Sequence, residues 1–482
     1  MNLKTLLKNI SVTNIIGSTE INISRISQDS RDKDFLQGLY FAVIGTQVDG
    51  HKFIDEVINK NANCIVCSVV PRELKTDVTY VLVEDVSKTI GQIASRFYGD
   101  PSQKIKIIAI TGTNGKSSVA TFISQSLSHL QKNNILLSTA GDYYNGTEID
   151  LQRNAPSSLE VIELQKVLKE YVGYGAEYCV LEATSQALDQ NRLSGIRIHR
   201  ALFTNLAEDH LDYHGTMNKY AEAKKRLFDN LDSEAIAITN SDDDYGDYMV
   251  SDTQALTKTV SKEKGNYVFD LKEMSISGMY LTINNTSMRI PLIGEFNAYN
   301  GSMTYACLET LDINPAEIKS AMEHVQGVPG RMQSVANNEN ILVLVDYAHS
   351  RDALDNVLRT LKIIPHNNII SIVGCGGDRD ATKRAPMAKI TQKLSDYSIF
   401  TSDNPRTENL QNIFDDMKQG LSLVENNYEF IDSRETAIKT AIQKAKAHDI
   451  VLVAGKGHEN YQIIGTEKKH FDDVEIAQKY LK

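Results

Sequence analysis

An α/β fold of three domains is predicted by three features of the sequence. Short apolar runs alternate with helical patterns along the whole chain. Nearly every run closes in a polar or glycine-rich turn. The length, 482 residues, suits three domains of ordinary size. The runs are IKIIAITG, EYCVLEA, RALFTNL, EAIAITN, NILVLVDYA, NIISIVG, DYSIFTS and DIVLVAG. Most lead into a helix-like stretch, which is the rhythm of parallel strands covered by helices, and ligands of such sheets bind at the carboxyl ends of the strands.

Two turns divide the chain. FYGDPSQ, at Asp100 and Pro101, closes a first unit, residues 1–101. GVPGRMQSV separates a central unit, 102–333, from a C-terminal one, 334–482. Residues 267–293 read as antiparallel β, an excursion from the central sheet.

Composition narrows the function. Hydrophobic residues make up 41% and charged residues 23%, an ordinary balance that lets each domain bury its own core. The net charge is −11, and no basic tract stands out, so a nucleic-acid partner is not expected. There are five cysteines, an odd and sparse set that points to a reducing compartment. Cys64 and Cys67 form a C-x-x-C inside an apolar run read as a buried strand, with no second pair at zinc spacing. The N-terminus has no signal-peptide pattern and no run is long enough to span a membrane, so a cytoplasmic protein without membrane insertion is expected.

AITGTNGKSSVATFISQSL reads as strand, glycine loop, helix. Gly112 and Gly115 let the backbone turn tightly and aim N–H groups inward. Thr113 and Asn114 lie between them, Lys116 supplies a cation, and Ser117 and Ser118 supply hydroxyls suited to Mg²⁺. The positive end of the following helix faces the same point. The loop is not the standard G-x-x-x-x-G-K-[ST] phosphate-binding pattern: two residues rather than four separate Gly112 from Gly115, and Thr111, not glycine, precedes Gly112. Downstream, Glu182 ends a strand. Asp209, His210, Asp212 and His214 then fall within six residues, a carboxylate–imidazole group that fits a divalent cation. Composition alone makes Lys224 a surface lysine on a helix.

The shorter loop form GTNGK[ST] resembles that of the Mur ligases and folylpolyglutamate synthases, and other Mur ligase motifs follow in order along essentially the whole chain. The resemblance implies a central P-loop mononucleotide-binding parallel sheet, a C-terminal Rossmann-like α/β domain and a smaller N-terminal α/β domain that binds a UDP-sugar. It implies ATP and Mg²⁺ as cofactors, with Ser117, Glu182, His210 and Lys224 at the metal. Lys224, in A-K-x-x-L-[FY], would be carbamylated. Lys116, Glu182, His210 and Lys224 would form the catalytic set. Asn300 (in GEFNAYN), Arg331 (in GRM) and Asp346 (in DYAHSRDAL) would join the loop in holding ATP.

Asp29, Ser30 and Arg31, with Asp49, Gly50 and His51, resemble the family's uridine-diphosphate loops. Thr184, Gln190 and Arg192 would contact a UDP-muramoyl dipeptide, as would Asn154, where the family's T-T-P becomes Asn154, Ala155, Pro156. Gln186 stands where the family often has a histidine. It can hydrogen-bond but cannot be protonated near neutral pH, and is read as a positioning residue.

Three C-terminal strand ends gather charge of both signs: Asp378, Arg379, Asp380, Lys383 and Arg384; then Asp403 to Arg406; then Lys456, His458 and Glu459. Such a mixture suits a zwitterionic substrate, since arginine grips a carboxylate with two parallel hydrogen bonds. D-N-P-R resembles the signature of the diaminopimelate-adding members. Arg384, Asp403, Asn404, Pro405, Arg406, Gly455 and Glu459 would then bind diaminopimelate. The implied reaction adds meso-2,6-diaminopimelate to UDP-N-acetylmuramoyl-L-alanyl-D-glutamate through an acyl phosphate. The expected partners are these small molecules, and a monomer is expected. A lysine-adding ligase, a folylpolyglutamate synthase-like ligase and a non-catalytic ATP-binding scaffold remain as alternatives.

Overall fold

The computed structural model describes residues 1–45, 48–151, 158–275, 277–422 and 424–481. The chain divides into two compact units, one made of residues 1–116 and 131–259, the other of 117–130 and 260–482.

The first unit contains two sheets. In the N-terminal one, Asn14–Ile16 pairs antiparallel with Thr79–Leu82. Ala62–Cys67, Gly38–Phe41 and Arg25–Ser27 continue it in parallel. Cys64 and Cys67 point into its core, and burial pushes both thiols up in pKa. All five cysteines are free and buried.

The second sheet carries five parallel strands in the order Ile236–Asn240, Arg200–Phe203, Lys106–Thr111, Tyr178–Glu182 and Asn134–Ser138. Their sequences are runs of Ile, Val, Leu and Ala because helices cover both faces and leave no side for polar residues. Lys106–Thr111 is buried at every position but its first. It sits between the strand that follows it by two and the one that follows by three, so the chain switches direction beside its carboxyl end. That places the glycine loop at the crevice where ligands bind.

The second unit contains the antiparallel meander Tyr267–Ser275, Gly278–Ile283 and Thr286–Ile290, matching the predicted excursion. Its main sheet runs Gln333–Val335, Leu342–Asp346, Ile450–Ala454, Ile369–Cys375, Tyr397–Ser402 and Tyr428–Ile431, all parallel except the first. The carboxyl ends of the four central strands carry Asp346, the 455–459 turn, the 376–380 turn and Asp403. Among the described residues no helix is long and apolar enough to cross a membrane.

Candidate active site

The glycine loop is strapped to the segment after Arg200–Phe203. Gly112 has φ +148° and Gly115 φ +83°. A Cβ on Gly112 would collide with the Thr204 hydroxyl, so only glycine fits there. Thr204 Oγ1 donates to the Asn114 carbonyl at 2.6 Å, and Asn205 Oδ1 accepts from Asn114 N at 2.9 Å. Thr113 N donates to the Asn205 carbonyl at 2.8 Å. Lys116 Nζ folds back onto the Gly112 and Thr113 carbonyls at 3.1 and 2.8 Å. Lys116 opens the helix Lys116–His129, with Ser117 and Ser118 next in its first turn. Lysine, hydroxyls and the first helical N–H groups therefore belong to one turn of chain, the arrangement that binds phosphate.

Lys224 overturns the reading from composition. It is 1% exposed on the helix Met217–Asp229. Its Nζ donates to the Gly112 carbonyl at 2.7 Å and lies 4.5 Å over the Tyr220 ring. Burial, and then the nearby charge of Lys116, depress its pKa to about 6. Helical periodicity marks the face but not how deeply that face is covered, which is why sequence placed it at the surface. Its partner aromatic, Tyr220, meets the Thr113 hydroxyl at 3.2 Å.

Glu182 is buried at the end of its strand, and its carboxylate accepts from Thr139 N and Oγ1 at 3.0 and 3.3 Å. His210 has a left-handed backbone, φ +53°, and its ring is about half exposed, 3.6 Å from Asp209. His214, by contrast, is buried, meets the Ser185 hydroxyl at 2.9 Å and has its pKa lowered by desolvation. Ser185 in turn donates to Gln186 Oε1 at 3.2 Å. Among the described residues no three His, Cys, Asp or Glu side chains converge as a ready-made metal cage.

A cavity of about 730 Å³ gathers residues far apart in sequence: Ser30, Arg31, Tyr40, Gln190, Arg192 and Tyr213 are on its wall. Arg192 is held by Glu160 at 3.0 Å and by Gln190 Oε1 at 2.7 Å, and Gln190 Nε2 donates to Tyr213 Oη at 3.1 Å. Thr184 caps the helix Ser185–Asp189 and contacts Ser158 Oγ at 3.2 Å. Asn154, Ala155 and Pro156 lie outside the described residues.

In the second unit, Asn300 is buried in the helix Glu295–Glu309 and donates to Asn297 Oδ1 at 3.1 Å. Asp346 accepts from Met332 N and Ala348 N, both at 2.7 Å, while burial raises its pKa. Arg331 is exposed and lies 5.8 Å over the Tyr347 ring.

The charged cluster resolves into paired and unpaired members. Arg384 is buried, with its terminal nitrogens on Glu408 at 2.7 Å and Asp416 at 2.9 Å; these partners raise its pKa. Lys456 is buried against Glu459 at 3.3 Å and Asn404 Oδ1 at 3.4 Å. Asn404 Nδ2 donates to Glu459 at 2.8 Å.

Arg406 differs. Its φ is +52°, a strained value of the kind that collects at functional sites. Its N–H and carbonyl are pinned by Ile463 O at 3.1 Å and Gly465 N at 2.7 Å. Nη1 donates to the Gly377 carbonyl at 2.8 Å and weakly to Asn404 O. No carboxylate of the described residues pairs with it. Pro405 and Gly377 pack backbone to backbone, and Gly455 has φ +118° beside Asp403.

Comparisons with known proteins agree with this anatomy. Residues 110–308 match the Mur ligase middle domain, and residues 330–457 the Mur ligase glutamate ligase domain. The chain belongs to the Mur ligase family. It is 38% identical to the UDP-N-acetylmuramoyl-L-alanyl-D-glutamate–2,6-diaminopimelate ligase of Phocaeicola vulgatus, over 99% of each chain. It is also 38% identical to the ligase of the same name from Clostridium tetani, over 100% of this chain and 99% of that one. A solved structure of a ligase of that name superposes with a TM-score of 0.79 at 32% identity, covering 100% of this chain and 98% of the other. A folylpolyglutamate synthase from Mycobacterium tuberculosis shares the fold alone, at 16% identity, TM-score 0.55 and 75% of this chain. The protein is thus an ATP-dependent amide-forming ligase of α/β architecture. Motif reading missed Thr139, Thr204, Asn205, Glu408 and Asp416 because each acts by holding a motif residue, and single polar residues near strand ends carry no spacing signal.

Proposed function

We propose that this Mur ligase joins meso-2,6-diaminopimelate to UDP-N-acetylmuramoyl-L-alanyl-D-glutamate, with ATP as co-substrate and an acyl phosphate as intermediate. The observation that carries the choice of amino acid is the Arg406 guanidinium, half-buried and, among the described residues, without an anionic partner, in a cluster where Arg384 and Lys456 each have one. A distal carboxylate completes its hydrogen bonds. Lysine has none, and would leave the guanidinium desolvated and unpaired. Asp403, Asn404, Pro405, Gly455 and Glu459 shape the rest of the pocket. Arg384, held by Glu408, Asp416 and the Gly376 carbonyl at 3.3 Å, joins them in that pocket.

The dipeptide's nucleotide end fits the cavity lined by Ser30, Gln190 and Arg192, with Thr184 and Asn154 further along the dipeptide. ATP fits the loop Gly112 to Ser118, with Asn300, Arg331 and Asp346. Lys116 exchanges its loop carbonyls for phosphate oxygens and stabilises charge as the γ-phosphoryl group passes to the terminal glutamate carboxylate. The amine of diaminopimelate then attacks the acyl phosphate, and phosphate leaves from the tetrahedral intermediate.

The residues fit the expected metal. Glu182, a buried carboxylate that Thr139 holds, supplies an oxygen, Ser117 a hydroxyl and His210 an accessible imidazole. Lys224 fits carbamylation: an amine with a pKa of about 6 is neutral at pH 7, and its lone pair can bond to the carbon of CO₂ with loss of one proton. The resulting anion completes an oxygen-rich donor set suited to Mg²⁺. When bound, Mg²⁺ would neutralise charge on the phosphates. Residues 1–101, 102–333 and 334–482 are assigned to the UDP-sugar, ATP and amino-acid domains, in a monomer that works in the cytoplasm.

Incubation with ATP, Mg²⁺, the UDP-muramoyl dipeptide and diaminopimelate, read by mass spectrometry, tests this directly. The UDP-muramoyl tripeptide should form with one ADP and one phosphate per bond. Folded protein that yields none of the three contradicts the reading.

A further inference from the structure

Two helices of the C-terminal sheet meet through wholly buried charges. Arg434 opens the helix Arg434–Lys444, and Asp473 opens the last helix, Asp473–Tyr480. Nε and Nη2 of the arginine reach the two carboxylate oxygens at 2.8 and 2.7 Å, and both side chains are 0% exposed. Burying such a pair seldom stabilises a fold more than apolar residues of the same size would, so its presence asks for another reason.

The geometry supplies one. Arg434 Nη2 also donates to the Ala454 carbonyl at 3.1 Å, the last residue of its strand. Gly455 follows, and a Cβ there would stand 2.7 Å from Asp403 Oδ2. The arginine therefore grips one side of a turn whose other side is Asp403. Arg434 Nη1 is buried without a hydrogen-bond partner. The Asp403 carboxylate is buried and accepts no hydrogen bond from the described residues. A desolvated, unfilled donor and a largely buried carboxylate flank the same turn.

We infer that the Arg434–Asp473 pair is a positioning device for the amino-acid pocket: it fixes the Ala454–Gly455 turn and supplies the positive charge behind Asp403, the carboxylate that receives an ammonium of the incoming amino acid. The inference rests on the ligase reading above. Burial raises the pKa of Asp403, while Arg434 and then Lys456 oppose that rise, and Glu459 and Asp473 reinforce it more weakly. From the other elements packed around it come Cys375, Tyr347 and Tyr461, whose own pKa values are all raised, so they stay neutral. Arg434 is thus the leading positive influence on a carboxylate that must be ionised to hold an ammonium.

The test compares the full-length native protein with Arg434→Lys and with the double variant Arg434→Met/Asp473→Leu, which removes both charges together. Each is assayed with ATP and the UDP-muramoyl dipeptide, using whichever of diaminopimelate and lysine the native protein consumes. The double variant should raise KM for the amino acid about tenfold or more. It should leave KM for the UDP-dipeptide unchanged and move the acidic limb of the kcat/KM profile to higher pH. Arg434→Lys, which keeps the charge, should restore the limb and hold the fold if the double variant does not. An unchanged amino-acid KM and pH limb in a folded variant, or a lysine variant whose limb matches that of the double variant, overturns the inference. Consumption of neither amino acid by the native protein removes the ligase reading itself, and the inference with it.

Discussion

Two buried lysines, one in each compact unit, are treated in opposite ways. Lys456 faces Glu459 and Asn404 and sits in a cluster where Arg384 has two carboxylates and Arg434 one. No carboxylate of the described residues pairs with Lys224. Its neighbours are a carbonyl, an aromatic ring and another lysine, and the charge of Asp209 opposes their effect only weakly. Desolvation with a counter-ion keeps a charge in place; desolvation without one removes it. On the proposed reading, the first region presents fixed charges to a zwitterion, and the second makes an amine neutral and therefore reactive.

Within the paired region, Arg406 is the exception that gives the comparison its use. It has the strained backbone of a held residue and the hydrogen-bond deficit of an unfinished site. The lesson is that, in a densely charged pocket, the informative group is the one whose partner is missing.

The largest expected effect breaks the contrast from the Lys224 side. Lys224→Met should lower turnover by about 10²-fold or more. Native protein equilibrated with ¹³C-labelled bicarbonate should show a carbamate carbon signal that the variant lacks. The neutral amine becomes the major form as pH rises through about 6, so protein depleted of CO₂ should regain activity on adding bicarbonate faster at pH 7.5 than at pH 5.5. A native protein with no carbamate signal and full activity would dissolve the contrast. A smaller effect tests the paired side. Glu408→Gln leaves Arg384 buried with Asp416 as its one remaining carboxylate, and should destabilise the fold by about 2 kcal/mol, less than for a fully buried pair because Glu408 is partly exposed. Chemical denaturation measures it. No loss of stability would mean that Arg384 is not held by that carboxylate.

The sequence made much of this visible, for identifiable reasons. Parallel strands buried on both faces, such as Lys106–Thr111 and Ile450–Ala454, write themselves as unbroken apolar runs. The glycine loop is legible because Gly112 faces Thr204 too closely for any Cβ. Burial of a helical residue is less legible. Lys224 shares its helix with exposed charges, and nothing local distinguishes the position covered by the glycine loop. Pairing is less legible still. Whether Arg384 or Arg406 is the unpartnered arginine depends on Glu408 and Asp416, whose reach is decided by the fold.

The central claim is that the unpaired Arg406 selects a second carboxylate on the incoming amino acid. Phosphate release with ATP, Mg²⁺ and the UDP-muramoyl dipeptide, comparing meso-diaminopimelate with L-lysine for the native protein and Arg406→Ala, measures this most directly. The account predicts strong preference for diaminopimelate in the native protein, and a fall of about 10²-fold in its kcat/KM for the variant with little change for lysine. Equal use of both amino acids by the native protein, or preference for lysine, would contradict it.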